Sequence, residues 1–178
     1  MGKQSDVSTK NKIINLIIEN PGLHTSKIAQ LLDISWELAY YHLTELEKNE
    51  LVKIIKVDGF SRVFVNGNLG MRDREIISFL RKKTSLKIIL FLLSNPYSTF
   101  TDMDKNIKIS ASTLSYHLEK LVDKKIIEIQ YDNKSRKNYF VINRKHIIDF
   151  LVKYKPYSFI ENYKKEYIKF LMGGDLFE

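Results

Sequence analysis

Two groups of side chains in this sequence are spaced to hold a partner rather than to break bonds. In the first, Ser112, Ser115, Tyr116 and Lys120 recur three and four positions apart, which gathers them on one face of a helix. Ser110 and Ala111 lie just before them, and Lys134, Ser135, Arg136 and Lys137 form a basic run shortly after. Short hydroxyls and a phenol can hydrogen-bond base edges. The small groups at Ala111 and Ser112 permit close approach at a helix N-terminus, where free N–H groups and the helix dipole also favour phosphate. Cations in the basic run suit a phosphate backbone or a minor groove. The second group lies 75 positions earlier: Ser35, Trp36, Glu37, Tyr40, Tyr41 and Thr44, with Arg62 further on. Its helix face carries no Lys or Arg, and Glu37 would repel phosphate. Its aromatic, neutral character suits a protein partner or a weaker nucleic-acid arm. Trp36 is open to two readings, a plug over the preceding helix or a contact with a sugar, base or protein. Tyr41 and Tyr116 occupy matching slots, as do His42 and His117, which read as rings at a helix edge bonding backbone or phosphate.

These groups sit in a repeat. Residues 34–54, ISWELAYYHLTELEKNELVKI, align without a gap to residues 109–129, ISASTLSYHLEKLVDKKIIEI. Identities fall at Ile34/Ile109, Ser35/Ser110, Tyr41/Tyr116, His42/His117, Leu43/Leu118, Leu46/Leu121 and Ile54/Ile129. A repeat of this length is a supersecondary unit. In each copy a Ser caps an amphipathic helix, and a β-branched strand follows.

The elements that must position the repeat follow from local signals. Residues 1–8 read as a flexible tail. Thr9 caps a helix with Ile13, Ile14, Leu16, Ile17 and Ile18, ended by Asn20-Pro21-Gly22. Thr25 caps a second helix through Leu32. Ser35 caps a third, Trp36 to about Asn49, with Ala39, Leu43 and Leu46 as its buried stripe. A strand from Leu51 to Val57, a turn at Asp58-Gly59 and a return at residues 63–65 complete the set. Three helices and a hairpin over residues 9–68 make a winged helix-turn-helix. Residues 69–83 read as a basic linker helix, either a spacer or part of the second core. The second set spans residues 84–143: a start at Thr84 or Ser85, a stop at Asn95-Pro96, a short helix capped by Thr101, a helix Ala111 to about Lys124, and strands 126–131 and 138–142. Residues 144–178 add two helices, the first opened by Asn143. The second carries Phe159, Ile160, Tyr163, Tyr167, Phe170 and Leu171 on one broad face, which either packs on the second domain or forms a homodimer. The fold class is mainly α with small β-hairpin wings: two winged helix-turn-helix domains joined by a helix, plus C-terminal helices.

Charge and composition narrow the function. The chain of 178 residues carries 29 Lys+Arg against 21 Asp+Glu, a formal net charge of +8. Residues 1–68 are neutral by count, whereas residues 69–143, with the second copy, hold most of the excess. The sequence contains no cysteine, which excludes disulfides, thiolate metal sites and cysteine catalysis and fits a reducing interior. His24 and His146 lie on separate elements without ligand spacing relative to His42 and His117, so no metal and no cofactor are expected. Phosphate-cradling glycine loops, nucleophile elbows and paired catalytic carboxylates are missing, so no catalytic residue is assigned. No apolar run approaches the roughly 20 residues that span a bilayer, and the expected location is the cytoplasm, on the nucleoid.

On the pattern Ser-x(5)-Tyr-His-Leu-x-x-Leu followed by an apolar strand, seen at Ser35…Leu46 and Ser110…Leu121, the chain resembles the ArsR-type and MarR-type winged-helix transcription regulators, in particular the tandem forms common in archaea. The resemblance implies a double-stranded DNA-binding transcriptional regulator, with helices Trp36–Asn49 and Ala111–Lys124 in the major groove and the wings on the backbone or minor groove. Metal-sensing members use ligands that this chain lacks, so metal sensing is not implied. Two other readings stay open: a winged-helix protein–protein adaptor, and an architectural or replication protein that binds DNA with little sequence preference.

Overall fold

The computed structural model describes residues 2–154, which divide into two units at Ser78/Phe79. The face formed by Phe159 to Leu171 lies outside the described residues.

In the first unit, α1 (Gly2–Glu19) buries Ile13 and Ile17 and ends at Asn20-Pro21. The helix begins at Gly2, not at Thr9, because nothing in residues 2–8 breaks it; the expected tail is helical. Next, α2 (Thr25–Leu32) is capped by His24 rather than Thr25: the His24 imidazole Nδ1 accepts the Lys27 N–H at 3.1 Å. Asp33 then turns the chain in the left-handed region (φ 51°), and Ser35 caps α3 (Trp36–Lys48) by accepting the Leu38 N–H at 3.1 Å. Glu50, also left-handed at φ 58°, directs the chain into β1 (Val52–Val57), which pairs antiparallel with β2 (Phe60–Val65) from Val52↔Val65 to Val57↔Phe60. The two-residue turn places Asp58 and Gly59 at φ 48° and 84°, the geometry that matches strand twist in a tight hairpin. A bridge Leu23↔Val63 adds the loop after α1 to the sheet edge. The core gathers Ile13, Ile17, Leu23, Ile28, Leu43, Leu46, Val52 and Val63. The segment expected as a linker forms α4 (Met71–Leu80), and its Ile77 and Arg74 pack on this unit, against Gly22 and over the Phe64 ring.

The second unit repeats this plan. Its first helix, α5 (Lys83–Ser94), starts before Thr84 and Ser85 and buries seven residues, including Ile88, Ile89, Leu92 and Leu93. A short strand β3 (Ser98–Thr99), for which the sequence carries no local signal, pairs at Ser98↔Tyr139 with the later strand of residues 137–141, the counterpart of the Leu23↔Val63 bridge. Thr99, not Thr101, caps α6 (Phe100–Ile107) in a reciprocal box: its hydroxyl accepts the Asp102 N–H, and its own N–H donates to the Asp102 carboxylate at 2.9 Å. The Thr99 hydroxyl also donates to that carboxylate, which holds the Asp102 pKa below the usual range. Thr-x-x-Asp spacing occurs at both Thr99/Asp102 and Thr101/Asp104, so the spacing alone does not choose between them; the helix starts at Phe100, which puts Thr99 in the cap position. Lys108 (φ 50°) matches Asp33, Ser110 caps α7 (Ala111–Asp123), and Lys125 (φ 48°) matches Glu50. Strands β4 (Ile127–Tyr131) and β5 (Lys137–Val141) form the wing, with sheet order β3-β5-β4. Finally α8 (Arg144–Lys153) buries Ile147, Phe150 and Leu151. Asn143 precedes it in the left-handed region, and its side chain makes no capping bond.

Two outcomes follow for the first unit. Gly22 lies at φ 78°, and a Cβ there would approach Ile77 Cγ2 at 3.1 Å and Phe64 Cζ at 3.2 Å; at Gly59, φ 84°, nothing lies within 4 Å. Gly59→Ala should therefore cost about 1 kcal/mol from backbone conformation alone, and Gly22→Ala more, about 2–3 kcal/mol, in denaturant unfolding. The His24 cap should make the unit sensitive to acid. Burial, helped by Arg62 and Lys27, holds the His24 pKa below its ordinary value, and a proton on Nδ1 would remove the acceptor. The unfolded chain then binds the proton more readily, so the contribution of His24 is complete above about pH 6.5 and declines as the pH falls below it. Thermal midpoints between pH 5 and 8 should fall less on the acid side for His24→Asn, which caps without titrating there.

Candidate nucleic-acid interface

The buried stripe decides which side chains of α7 face outward. Leu114, Leu118 and Leu121 are buried, so Ala111, Ser112, Ser115, Tyr116 and Glu119 on the opposite side are exposed, with Tyr116 at 51%. Lys120 is half-buried beside them, its ammonium 5.6 Å from the Tyr116 ring centre. A cation at that distance is attracted to the ring face and limits its swing. The Ser110 hydroxyl is engaged by the cap: it accepts the Thr113 N–H at 3.2 Å and lies 2.7 Å from the Thr113 hydroxyl and 3.1 Å from that of Ser112. His117 turns inward. Its Nδ1 lies 3.1 Å from the hydroxyl of Ser85, a fully buried residue of α5, so the ring ties α7 to α5. The structure thus gives the ring a side-chain partner in α5 that the expectation of a backbone or phosphate contact did not include. The Ser85 partner has no local sequence signal; it lies 32 positions away.

The wing of this unit presents Lys134, Ser135, Arg136 and Lys137 as exposed residues. Asp132, which in the sequence alone marks only the start of the loop, organises them. Its Oδ1 accepts the N–H groups of Lys134 at 2.8 Å and Arg136 at 2.9 Å, and its Oδ2 accepts from Arg136 Nε at 2.7 Å. These bonds, the Arg136 N–H first, hold the Asp132 carboxyl below the usual range. Arg136, its side chain 63% exposed, shares its charge with Asp132; Lys134 and Lys137 are the exposed cations beside it. An Asp opening a hairpin loop, with donors two and four positions on, is the sequence signal for this turn.

In the first unit α3 buries Ala39, His42, Leu43 and Leu46. His42, at 2% exposure, belongs to the core side of the helix, with its ring edge to Tyr41, and does not reach the outward face. Trp36 is 48% exposed and stacks on Tyr40, ring centres 5.0 Å apart and nearly parallel. Its ring is thus displayed alongside Tyr40 rather than sealed in the core. Glu37, Tyr40 and Tyr41 are exposed, Ser35 is committed to its cap, and the Thr44 hydroxyl donates to the Tyr40 carbonyl at 2.9 Å. Arg62 corrects the expectation of a wing-tip cation. It lies within β2, 6% exposed, donating to the Gly22 carbonyl at 3.1 Å. Its guanidinium is 5.8 Å from the Phe60 ring centre. Strand alternation turns it to the face opposite Val63, with Phe60, and its bond to Gly22 secures the loop after α1. Among the described residues no group of three or more His, Cys, Asp or Glu side chains could hold a metal ion, and no helix is long and apolar enough to cross a membrane.

Comparison with known proteins agrees with this geometry. A family model described as winged helix-turn-helix DNA-binding matches twice, over residues 8–53 and 81–128, which together exceed half the chain. An uncharacterised HTH-type transcriptional regulator of Methanocaldococcus jannaschii is 28% identical over 120 residues, covering 67% of this chain; the chain spans 30% of that relative's length. Among solved structures, similarity is distant. A chain of the endosomal complex ESCRT-II aligns with 81% of this chain and 64% of its own at 14% identity and TM-score 0.32. A Corynebacterium diphtheriae protein aligns with 75% of this chain and 26% of its own at 17% identity and TM-score 0.28. With its two matched segments falling on α1–β1 and on α5–β4, the chain belongs to the winged helix-turn-helix DNA-binding family and carries the motif twice.

Proposed function

We propose that the protein is a sequence-specific regulator of transcription that binds double-stranded DNA, with its second unit supplying most of the affinity. The observation that carries this reading is the pairing of α7 with its wing. A helix locked to the core by three leucines presents Ala111, Ser112, Ser115 and Tyr116 outward, and the same unit displays Lys134 on a hydrogen-bonded loop and Lys137 at the start of β5. In this reading the hydroxyls and the phenol of α7 meet base edges in the major groove, and the lysines meet phosphates. The regulatory role is supported by the name of the archaeal relative. The expected site of action is chromosomal DNA in the cytoplasm.

The first unit favours a second role. Its α3 exposes the Trp36–Tyr40 stack together with Leu38 and Tyr41, and its outward face holds Glu37 and no cation. Such a face suits a protein partner better than phosphate, so an adaptor function of this unit stands beside DNA binding by the other.

Lys134→Ala with Lys137→Ala should weaken binding to every duplex and make the plot of log affinity against log salt shallower by about 2, roughly one for each phosphate left without its lysine. Fluorescence anisotropy over a salt series measures both; unchanged affinity and slope would remove the second wing from the interface. Selection from random duplexes should enrich one motif, whereas an unenriched pool would refute sequence specificity. No binding to any duplex at low salt would favour the adaptor reading for the whole chain.

A further inference from the structure

The two wings solve the same problem differently. The first closes with two residues, Asp58 and Gly59, whose backbone angles alone make the turn. The second must close residues 132–136, a longer loop with more conformations to lose. Its closure is built around one side chain. The Asp132 carboxylate accepts two backbone N–H groups and one guanidinium N–H. The Asp132 N–H donates to the Arg136 carbonyl at 3.1 Å, and the Asp132 carbonyl accepts the Ser135 N–H at 2.9 Å. Ser135 completes the turn in the left-handed region, φ 57°.

A carboxylate at this place is unfavourable for DNA binding if only charge is counted, since it stands among the cations that would meet phosphate. We infer that Asp132 is a positioning residue of the DNA interface: it holds the loop 132–136 in one shape, so that Lys134 and Lys137 reach phosphate without first being ordered. This inference rests on the proposal that the second wing contacts DNA. Its physical basis is preorganisation. Ordering a loop on binding costs affinity, and a loop ordered beforehand does not incur that cost again. The ion pair with Arg136 reduces the repulsion that the carboxylate would otherwise exert.

Two substitutions separate shape from charge in the full chain. Asp132→Ala removes both the negative charge and the loop bonds. Asp132→Asn removes the charge and the ion pair but keeps an oxygen that can accept the Lys134 and Arg136 N–H groups. Anisotropy titration of a duplex across a salt series should find Asp132→Ala weaker than wild type by roughly tenfold, although it is more positive. Asp132→Asn should bind at least as tightly as wild type, with a salt slope steeper by about 1 as Arg136 is released to phosphate. Backbone 15N relaxation should show Lys134 to Arg136 ordered in wild type and Asp132→Asn and loosened in Asp132→Ala. Asp132→Ala binding as tightly as Asp132→Asn, or an equally ordered loop in both, would overturn the inference. If wild type binds duplex DNA but Lys134→Ala with Lys137→Ala changes nothing, the reading of the wing fails instead, and the relaxation data still report whether Asp132 shapes the loop.

Discussion

The leucine stripe of the third helix in each unit is the contact on which the rest depends. Leu43 and Leu46 in α3, and Leu114, Leu118 and Leu121 in α7, are buried among the other helices and the sheet. Truncating any one of these side chains to Ala would cost about 2–5 kcal/mol, a large share of the stability of a small domain. Because a helix turns by a fixed angle per residue, burying that stripe determines which residues face outward. The caps fix its register: Ser35 and Ser110 start the helices, and the left-handed residues Glu50 and Lys125 end them and aim the chain into β1 and β4. The exposed face is thus a consequence of the core.

With the frame held constant, the two copies diverge where partners would meet them. On α7 the first outward positions, Ala111, Ser112 and Ser115, are small, followed by Tyr116 and Glu119, and the neighbouring wing is basic. On α3 the matching positions are mostly aromatic or acidic; in its wing Arg62 is committed to the Gly22 carbonyl, and the exposed cations are Lys53 and Lys56 of β1. The histidines shared by the copies stay with the frame. His117 ties α7 to α5 through Ser85, and His42 sits on the core side of α3. In both, the neighbouring Tyr remains outside. The copies thus share what folds and differ in most of what they display, Tyr41 and Tyr116 excepted.

The frame is legible in the sequence because it is local and periodic. The Ser caps, the leucine spacing, the Asn-Pro stops and the Asp-Gly turn all act within one or two helical turns. Legibility fails where two residues compete for one role or where a partner is distant. Thr25 and Thr101 look like caps, but His24 and Thr99 take the position, the latter with Asp102 completing its box. Strand β3 is two residues long and is defined only by its pairing with β5, some 40 positions on. Arg62 reads as a surface cation until β2 is seen to carry it inside. Asp132 is hard to pick out because an acidic residue in a basic loop suggests repulsion, whereas here it acts through the hydrogen bonds it accepts.

The claim that the second copy, rather than the first, reads DNA is tested most directly by placing one carboxylate on each outward face of the intact chain. Ser115→Glu on α7 and Tyr40→Glu on α3 are equivalent positions in the repeat, both exposed. Duplex binding measured side by side should fall by about a hundredfold for Ser115→Glu, because a buried, unpaired charge at a base or phosphate contact is costly, and by less than about threefold for Tyr40→Glu, the effect of a charge outside the contact surface. Equal losses, or a larger loss for Tyr40→Glu, would contradict it.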